Sequence, residues 1–366
     1  DRIGQVTSKI SCSTLKKGDI KVPSKKISSH KEALAVIIDL LCHAEHGVIS
    51  SPEDIKAVGH RVVHGGDKFS RSQEITKEVL DAIKELQDIA PLHNPPNIAG
   101  IEAAKEHFPN VPHIAVFDTA FHQTMPEHSY MYAVPYDWYT KYGVRRYGFH
   151  GPSHYYVSRR AIKLLRKKNS KIITLHIGNG VSITAIKDGK SVDTSMGFTP
   201  LEGAIMGTRS GDVDPAVLCY IMQKEGRSAK EVENILNKQS GLLGITGDLF
   251  DRRDIIQKAK EGDARAKLAI DMEVYRLKKY LGAYAAALGG LDAIVFTAGV
   301  GENSPLIREK ACAGLVGFGL KLDPAKNKKA VGGVEADISV NRSRIRIYVI
   351  PTNEELVFVE EVLKLI

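Results

Sequence analysis

Long runs of apolar residues are missing from this sequence of 366 residues. No stretch reaches the roughly eighteen apolar residues that a membrane-spanning helix needs, and no apolar segment follows a basic start as in a signal peptide. These absences predict a protein with no membrane partner, and the cytoplasm is its default location.

Cysteine is scarce as well. The four cysteines lie far apart along the chain without a Cys-x-x-Cys pair, and no His-Glu-x-x-His or similar helical pair is present. The sequence therefore predicts neither a disulfide framework nor a zinc site, and it favours a reducing compartment.

A strong charge cluster is also absent, although the formal net charge is +8. The basic residues are spread along the chain in short groups such as residues 166–168, and no nucleic-acid-binding motif accompanies them. We therefore expect no nucleic acid partner. A basic balance also suits an enzyme that acts on polyphosphates.

Glycine and apolar residues are plentiful, with 32 glycines and 43% hydrophobic residues. The length suffices for two cores, and alternating strand-like and helix-like segments predict two α/β domains. We expect a helix over 75–90 that ends at the prolines of 94–96, and an irregular segment over 131–151. A further helix carries Val274, Leu277 and Leu281 on one face.

Two glycine-rich strand endings are the most informative feature. Residues 174–180 indicate a strand, a Gly-Asn-Gly loop and a second strand, which predicts a hairpin and not a Walker-type loop. Residues 296–303 lead from an apolar strand to a helix that starts near Ser304 and Pro305. Each pattern alone is typical of an ordinary tight turn. One cleft built by both would hold a nucleotide.

Charged side chains follow other strand endings and glycine turns. Arg61 and Arg209 lie among glycines and small residues, where a planar guanidinium can grip carboxylate or phosphoryl oxygens. His150 lies between turn residues, and Asp118 and Glu354 each follow an apolar strand, where α/β sheets bind ligands. Taken singly, these positions also suit a surface arginine or a helix N-cap. The other histidines of these motifs are interpreted as structural donors: His60, His64 and His154.

Eight segments, in order from about Val58 to the C-terminus, resemble the acetate kinase family. They are Gly-His-Arg-Val-Val-His-Gly-Gly (59–66), Phe-Asp-Thr-Ala-Phe-His (117–122), Arg-Arg-Tyr-Gly-Phe-His-Gly (145–151), His-Ile-Gly-Asn-Gly (176–180), Asp-Thr-Ser-Met-Gly-Phe-Thr-Pro-Leu-Glu-Gly (193–203), Gly-Thr-Arg-Ser-Gly-Asp (207–212), Phe-Thr-Ala-Gly-Val-Gly-Glu-Asn (296–303) and Pro-Thr-Asn-Glu-Glu (351–355). The resemblance implies the fold of acetate and sugar kinases, Hsp70 and actin. That fold is α/β, with two related domains of mixed sheets flanked by helices and the nucleotide in the interdomain cleft. We expect an N-terminal-type domain of residues 1–118 plus 355–366 and a C-terminal-type nucleotide-binding domain of residues 119–354.

The same resemblance implies roles for individual residues. The residues implied to be catalytic are Arg61, Asp118, His150 and Arg209. Those implied to surround the acetate are Val63, Leu92, His93, Phe149 and Pro200. Those implied to bind the nucleotide are His176, Gly178, Asn179, Gly180, Asp251, Arg253, Gly299, Gly301 and Asn303. Glu354 matches the glutamate that organises Mg²⁺ in the family.

The chain departs from the family pattern at three places. The family opens with a strand and an Asn-x-Gly-Ser-Ser-Ser-x-Lys phosphate loop that this sequence does not contain, so we expect the natural protein to have an additional N-terminal strand and loop. We expect a polypeptide that began at Asp1 to be inactive. Pro152 stands where threonine is usual. Arg252 stands where the family has an apolar residue, which leaves the adenosine contacts of its neighbours open.

The resemblance predicts an acetate kinase that transfers the γ-phosphoryl group of ATP to acetate, depends on Mg²⁺ and forms a homodimer. Two alternatives remain at this point. Propionate kinase shares the motifs, and it would differ in the pocket around the methyl group. A non-catalytic nucleotide-binding protein of the Hsp70 or actin type shares the fold, but it would not need arginines placed for a carboxylate.

Overall fold

The computed structural model describes residues 8, 10–14, 18–20, 22–23, 26–91 and 93–366. The chain divides into two compact units. The first comprises Asp1–Gly65, Arg71–Phe117 and Phe358–Ile366, and the second comprises Gly66–Ser70 and Asp118–Val357. Among the described residues, no helix is both long enough and apolar enough to cross a membrane.

The first unit combines short strands with three helices. Its strands are β1 (Cys12–Thr14), β2 (Gly18–Ile20), β3 (Val58–Val62), β4 (Gln73–Glu74) and β5 (His113–Phe117), and its helices are α1 (His30–Leu41), α2 (Lys77–Glu85) and α3 (Asn94–His107), with a 3₁₀ turn at Pro52–Asp54. β1 pairs with β2 in an antiparallel ribbon. The fully buried strand β5 lies between β3, which is parallel to it, and β4, which is antiparallel.

The second unit is built on one mixed sheet of six strands. The strands are β6 (Lys171–Ile177), β7 (Val181–Lys187), β8 (Lys190–Thr194), β9 (Ala293–Thr297), β10 (Ala336–Asp337) and β11 (Arg346–Val349). Their order in the sheet is β10-β11-β9-β6-β7-β8. The three central strands, β11, β9 and β6, are parallel, so their carboxyl ends meet at one edge.

Helices and two 3₁₀ turns complete the second unit. The helices are α4 (Glu127–Tyr130), α5 (Tyr136–Tyr142), α6 (Gly151–Leu165), α7 (Pro215–Glu225), α8 (Ala229–Lys238), α9 (Gly241–Thr246), α10 (Arg252–Lys260), α11 (Ala264–Ala287), α12 (Ala298–Asn303), α13 (Pro305–Cys312) and α14 (Pro324–Lys329), with 3₁₀ turns at Ala120–Thr124 and Val316–Phe318. The last helix, α15 (Glu354–Leu363), begins in the second unit and ends in the first. Val157 and Ala161 of α6 pack on the sheet with Ile172 and Val295, which closes an apolar core under the strand ends.

The predicted hairpin is confirmed. β6 and β7 pair residue for residue from Lys171 with Lys187 to Ile177 with Val181, and the Gly-Asn-Gly loop connects them. Asp188 and Gly189 then adopt the left-handed region, with φ of 53° and 79°, and turn the chain into β8.

Three local predictions were only partly right. The prolines of 94–96 do not simply end a helix, because α3 begins there with proline in its first turn, where the missing N–H costs no hydrogen bond. The helix expected over 75–90 is present as α2, but it is shorter and follows Thr76, whose side chain caps it. The helix expected to start at Ser304 and Pro305 is confirmed as α13, whereas the glycines of 299–301 lie inside the preceding helix α12, which starts directly after β9.

The segment 131–151 is also less irregular than predicted. It contains α5, which ends at Gly143 in the left-handed conformation typical of a helix C-terminus. Arg145 then lies over the ring of Tyr130, 3.6 Å from its centroid, and joins the following turn to α4.

Candidate functional site

The Gly-Asn-Gly loop between β6 and β7 is anchored on both sides. The Gly178 N–H donates to the Gly180 carbonyl at 3.0 Å, which closes the loop on itself. The Gly207 N–H donates to the Asn179 carbonyl at 3.0 Å. A side chain at Gly207 would overlap the Asn179 amide, so glycine is required for this close approach. The loop is therefore held against the segment that carries Arg209.

His150, Arg209 and Gly180 converge beside this loop. A Cβ atom on Gly180 would lie 3.4 Å from Cε1 of His150 and 3.6 Å from both terminal nitrogens of Arg209. The Gly151 N–H donates to the Asp118 carbonyl at 3.0 Å, which places His150 directly beside Asp118. Nη1 of Arg209 donates to the Pro200 carbonyl at 2.8 Å. The structure thus brings together five of the predicted site residues.

Arg209 is the most informative charge of this group. Burial lowers the pKa of its guanidinium from the ordinary value. In the part of the chain that the structure describes, no carboxylate forms an ion pair with it, and its hydrogen bonds go to a carbonyl oxygen and to the sulfur of Met206. A half-buried cation that lacks an acidic partner suits an anionic ligand.

Three histidines, His122, His154 and His176, form a cluster behind His150. The rings of His150 and His176 are stacked, with centroids 4.1 Å apart and an interplanar angle of 18°. His154 lies fully buried next to His176 and to His122, with ring centroids at 6.2 Å and 5.6 Å. Burial lowers the pKa of His122 to about 4 and the pKa of His154 well below its usual value, so both rings are neutral near pH 7.

Serine and threonine hydroxyls satisfy the inner ring nitrogens of this cluster. Ser182 Oγ lies 2.8 Å from Nδ1 of His150 and 2.7 Å from Nε2 of His154. Nδ1 of His154 lies 2.7 Å from Thr174 Oγ1. Nδ1 of His176 lies 2.8 Å from the Ser153 hydroxyl, which is bonded in turn to a threonine of the 351–355 segment. His154 is therefore a hydrogen-bonded core histidine, as the sequence predicts for it.

A cavity of about 720 Å³ opens next to the Gly-Asn-Gly loop. Six of the predicted nucleotide-binding residues line it: Gly178, Asn179, Asp251, Arg253, Gly299 and Asn303. The other lining residues were not predicted: Phe250, Arg252, Ile256, Val300, Ser304, Pro305 and Leu306. Gly301, which the sequence also suggests, lies buried in α12, where a side chain would meet the backbone of Phe296 at 3.4 Å, and it does not line the cavity.

Arg252 is buried in the wall of this cavity and does not extend into solvent. Its side chain is 6% exposed and that of Glu273 is 1% exposed, and the two form an ion pair with Nη2 at 2.6 Å from Oε1. Nε donates to the same oxygen at 2.7 Å, and Nη1 donates to the Gly178 carbonyl at 2.8 Å. The unusual arginine thus ties α10 and α11 to the Gly-Asn-Gly loop.

The two sequence neighbours of Arg252, Asp251 and Arg253, do not take part in this buried ion pair. The Asp251 carboxylate caps α10 by accepting from the Arg253 N–H at 2.8 Å, and it forms an ion pair with the Arg253 guanidinium. Hydrogen bonds from Arg253 lower the pKa of Asp251. The Arg253 side chain is 91% exposed, so it lies at the rim of the cavity.

In the first unit, Arg61 lies near the end of β3 and Val63 directly follows the strand. Arg61 is exposed, whereas Val63 is buried and its N–H donates to the Asn97 side chain at 3.0 Å. Asn94 bonds both the N–H and the carbonyl of the next residue, His64. The start of α3, which follows His93, therefore fixes this strand end. Leu92, the remaining residue predicted to surround acetate, lies outside the described residues.

Glu354 is the first residue of α15, and it is half-buried. The described residues contain no group of three or more histidines, cysteines or carboxylates that would hold a metal ion by themselves. Mg²⁺ is commonly held by one or two carboxylates together with substrate phosphates and water, so a single carboxylate such as Glu354 does not conflict with such a site.

The chain matches the model of the Acetokinase family over residues 2–360. It belongs to the acetate kinase family. It is 61% identical to the acetate kinase of Geobacter sulfurreducens over 340 residues, which are 92% of this chain and 81% of that protein. The solved structure of Porphyromonas gingivalis acetate kinase is 47% identical with a TM-score of 0.91, covering 100% of this chain and 91% of that one. A propionate kinase structure from Francisella tularensis is 44% identical, also with a TM-score of 0.91, covering 99% and 90%.

These matches confirm the predicted fold of the family and favour an acetate kinase over a propionate kinase, because the acetate kinase relative is the more similar sequence. They also disfavour the non-catalytic alternative.

Sequence reasoning missed a second buried cluster of this family member. Arg146 forms an ion pair with Glu202 at 2.6 Å and donates to the carbonyls of Thr194 and Ser195 at 3.0 and 3.2 Å. The Tyr132 hydroxyl bonds the same carboxylate. This cluster holds the segment that leads to Pro200. The sequence signal was available, since an arginine pair directly precedes the Tyr-Gly-Phe-His-Gly motif.

Proposed function

We propose that this chain transfers the γ-phosphoryl group of ATP to acetate, giving acetyl phosphate and ADP, in a reversible reaction. The observation that carries the proposal is the half-buried Arg209 guanidinium, which has no carboxylate partner among the described residues and adjoins His150 and the Gly-Asn-Gly loop. The same loop forms one wall of a cavity of about 720 Å³. A cation next to a glycine loop and a cavity suits a nucleotide whose terminal phosphate meets a carboxylate.

The chemistry needs positioning and charge neutralisation more than proton transfer. An acetate oxygen attacks the γ-phosphorus in line, a new O–P bond forms, and the bond to the β-phosphate oxygen of ADP breaks. The nucleophile is already an anion, so no general base is required. Arg209 binds the transferring group, His150 donates to its equatorial oxygens, and Asp118 orients the cluster. The family resemblance assigns Arg61 to the transferring phosphoryl group and the acetate carboxylate as well.

The nucleotide assignment places phosphates at Gly178, Asn179 and Gly180, with His176 behind them. Adenosine occupies the cavity beside Asp251, Arg253, Gly299 and Asn303. Phe250, Ile256 and Leu306 give that cavity apolar walls suited to the face of a purine. Gly301 is buried in α12 beside this cavity and receives no contact role.

Glu354 is the residue we assign to Mg²⁺. When bound with the nucleotide, Mg²⁺ would neutralise charge on the β- and γ-phosphoryl oxygens. Glu354 lies at the start of α15, where a carboxylate is also stabilised by the helix dipole.

We assign acetate specificity to the residues that the resemblance implies around the acetate: Val63, Leu92, His93, Phe149 and Pro200. One methylene changes discrimination by only about 1–3 kcal/mol, so some activity on propionate is expected. The domain boundaries predicted at 118 and 355, the homodimer and the cytoplasmic location stay predictions that rest on the resemblance and on the sequence.

Acetyl hydroxamate formation from ATP and acetate tests the function directly. We expect Arg61→Ala, His150→Ala and Arg209→Ala each to lower kcat by about a hundredfold or more while the fold is retained, because each removes stabilisation of transition-state charge. Rates within threefold of the parent would reject the assignment. Val63→Ala should raise propionate use relative to acetate, whereas Glu354→Ala should raise the Mg²⁺ requirement without changing acyl preference.

A further inference from the structure

The hydrogen bonds behind His150 form a continuous line of four groups. It runs from Thr174 Oγ1 to Nδ1 of His154 at 2.7 Å, from Nε2 of His154 to Ser182 Oγ at 2.7 Å, and from Ser182 Oγ to Nδ1 of His150 at 2.8 Å. Thr174 and Ser182 lie on the paired strands β6 and β7, so the sheet fixes both hydroxyls.

Thr174 sets the direction of this line. Its side chain is fully buried, and within the described residues its hydroxyl bonds only to His154. If His154 donated to Thr174, the threonine proton would have no acceptor, and folded proteins rarely leave a buried donor unsatisfied. Thr174 therefore donates, and Nδ1 of His154 accepts.

The positions of the remaining protons in the line follow from Thr174 being a donor. Because burial keeps His154 neutral, a ring that accepts at Nδ1 carries its proton on Nε2. That N–H donates to Ser182 Oγ. The single Ser182 proton then points to Nδ1 of His150, which accepts it. A neutral His150 that accepts at Nδ1 carries its proton on Nε2.

We propose that Thr174, His154 and Ser182 are positioning residues that hold His150 as the Nε2–H tautomer, so that its outer nitrogen is a hydrogen-bond donor to the phosphoryl group. The inference rests on the proposed role of His150. The opposite tautomer would present a lone pair to anionic oxygens and would repel them. The hydroxyls of Thr174 and Ser182 give a neutral His150 ring one orientation and one tautomer.

A pair of substitutions at Thr174 separates hydrogen bonding from packing. Thr174→Val keeps the shape and removes the donor, whereas Thr174→Ser keeps the donor and removes a methyl group. The proposed line of hydrogen bonds predicts that Thr174→Val lowers kcat more than Thr174→Ser does, with KM for ATP and for acetate nearly unchanged. A packing role predicts the reverse order.

Ser182→Ala removes the hydroxyl next to His150. We expect kcat to fall by about tenfold or more, the scale on which a wrong histidine tautomer or a lost supporting hydrogen bond acts in other enzymes. Ser191→Ala is the matched control, because Ser191 Oγ also bonds a buried histidine, His122, at 3.0 Å but lies outside the line. It should retain kcat within about twofold.

Nitrogen-15 NMR of histidine-labelled full-length protein reads the tautomer itself. The His150 signal is identified by its loss in His150→Gln, and its two-bond correlations report which nitrogen carries the proton. We expect Nε2–H in the parent and in Thr174→Ser, and a mixture in Ser182→Ala and Thr174→Val. A His150 proton on Nδ1 in the parent, or an unchanged His150 tautomer in Ser182→Ala, would overturn the proposal. Failure of the proposed function would appear separately, as full activity of His150→Ala.

Discussion

Two buried polar clusters of the second unit handle charge in opposite ways. In the histidine cluster, His122 and His154 remain neutral, because burial lowers the pKa of both rings and hydrogen bonds satisfy their nitrogens. The pair of Arg252 and Glu273 remains charged and compensates each charge with the other. Neutral rings can be polarised by a ligand, whereas a closed ion pair serves to hold its neighbours in place.

The difference also sets what each cluster loses when it is broken. A neutral hydrogen bond that is removed leaves one unsatisfied group, whereas half of a buried ion pair leaves an uncompensated charge. The ion pair should therefore dominate stability, and the histidine cluster should dominate pH dependence.

The largest effect is expected for Glu273→Leu. It leaves the Arg252 charge buried and alone, and we expect the free energy of unfolding to fall by about 3–5 kcal/mol. The double variant Arg252→Met/Glu273→Leu removes both charges and should return to within about 1 kcal/mol of the parent. Urea unfolding measures both. Equal destabilisation of the single and the double variant would contradict a compensated pair.

Acid should weaken the fold through the histidine cluster. His122 has a pKa of about 4 in the folded protein and about 6.5 when unfolded, so between these values the unfolded chain binds more protons. The stability contributed by its neutral ring is complete above pH 6.5 and is lost as the pH falls towards 4, at about 1.4 kcal/mol per pH unit for each such histidine.

His154 adds to this slope, and so does His60 of the first unit, where burial lowers the pKa to about 4. Urea unfolding at pH 7, 6 and 5 measures the slope, and His122→Gln should reduce it. The Arg252→Met/Glu273→Leu variant should show the parental slope. A free energy of unfolding that stays constant from pH 7 to pH 5 would show that these rings are not held neutral.

Nucleotide binding should respond to the double variant even though its stability is restored. Arg252 supplies the hydrogen bond to the Gly178 carbonyl, and without it we expect KM for ATP to rise by about tenfold, the equivalent of one charge-assisted hydrogen bond. KM for acetate should stay near the parental value. Lys310→Met/Asp271→Leu is the matched control, because that ion pair also involves α11 and is half-exposed. An unchanged KM for ATP would limit Arg252 to a structural role.

The smallest effect is expected for Arg253→Ala. Its exposed guanidinium pairs with Asp251 at the rim, so the urea concentration at the unfolding midpoint should stay at the parental value. KM for ATP should rise by about two- to fivefold. Arg227→Ala, which removes another exposed arginine paired with a glutamate outside the cavity, should change neither value. A clear drop of the unfolding midpoint in Arg253→Ala would show that the rim pair is structural.

Local patterns in the sequence predicted the elements whose signals are contiguous. The hairpin of β6 and β7 is visible from two apolar runs around Gly-Asn-Gly, and β5 from its apolar run before Asp118. The start of α3 was missed because proline both ends a helix and begins one, and only the packing of Asn94 on the end of β3 distinguishes these cases.

Partners distant in sequence could not be predicted in the same way. Arg252 was noticed as a departure from the family pattern, but its partner lies on another helix. A weak signal existed, because Glu273 lies four residues before Leu277 and eight before Leu281, on the buried stripe of α11. An acidic residue on such a stripe implies a buried cation, although the sequence does not say which one.

At His150, the residue type and the backbone conformation are in conflict. Its φ is 57°, a left-handed conformation that glycine and asparagine adopt at lower cost than most residues. Selection for heat resistance alone would therefore push this position towards glycine or asparagine, and selection for turnover would return it to histidine. The position is a built-in stability–activity trade-off, and libraries screened only for melting temperature should discard the most useful side chain of the site first.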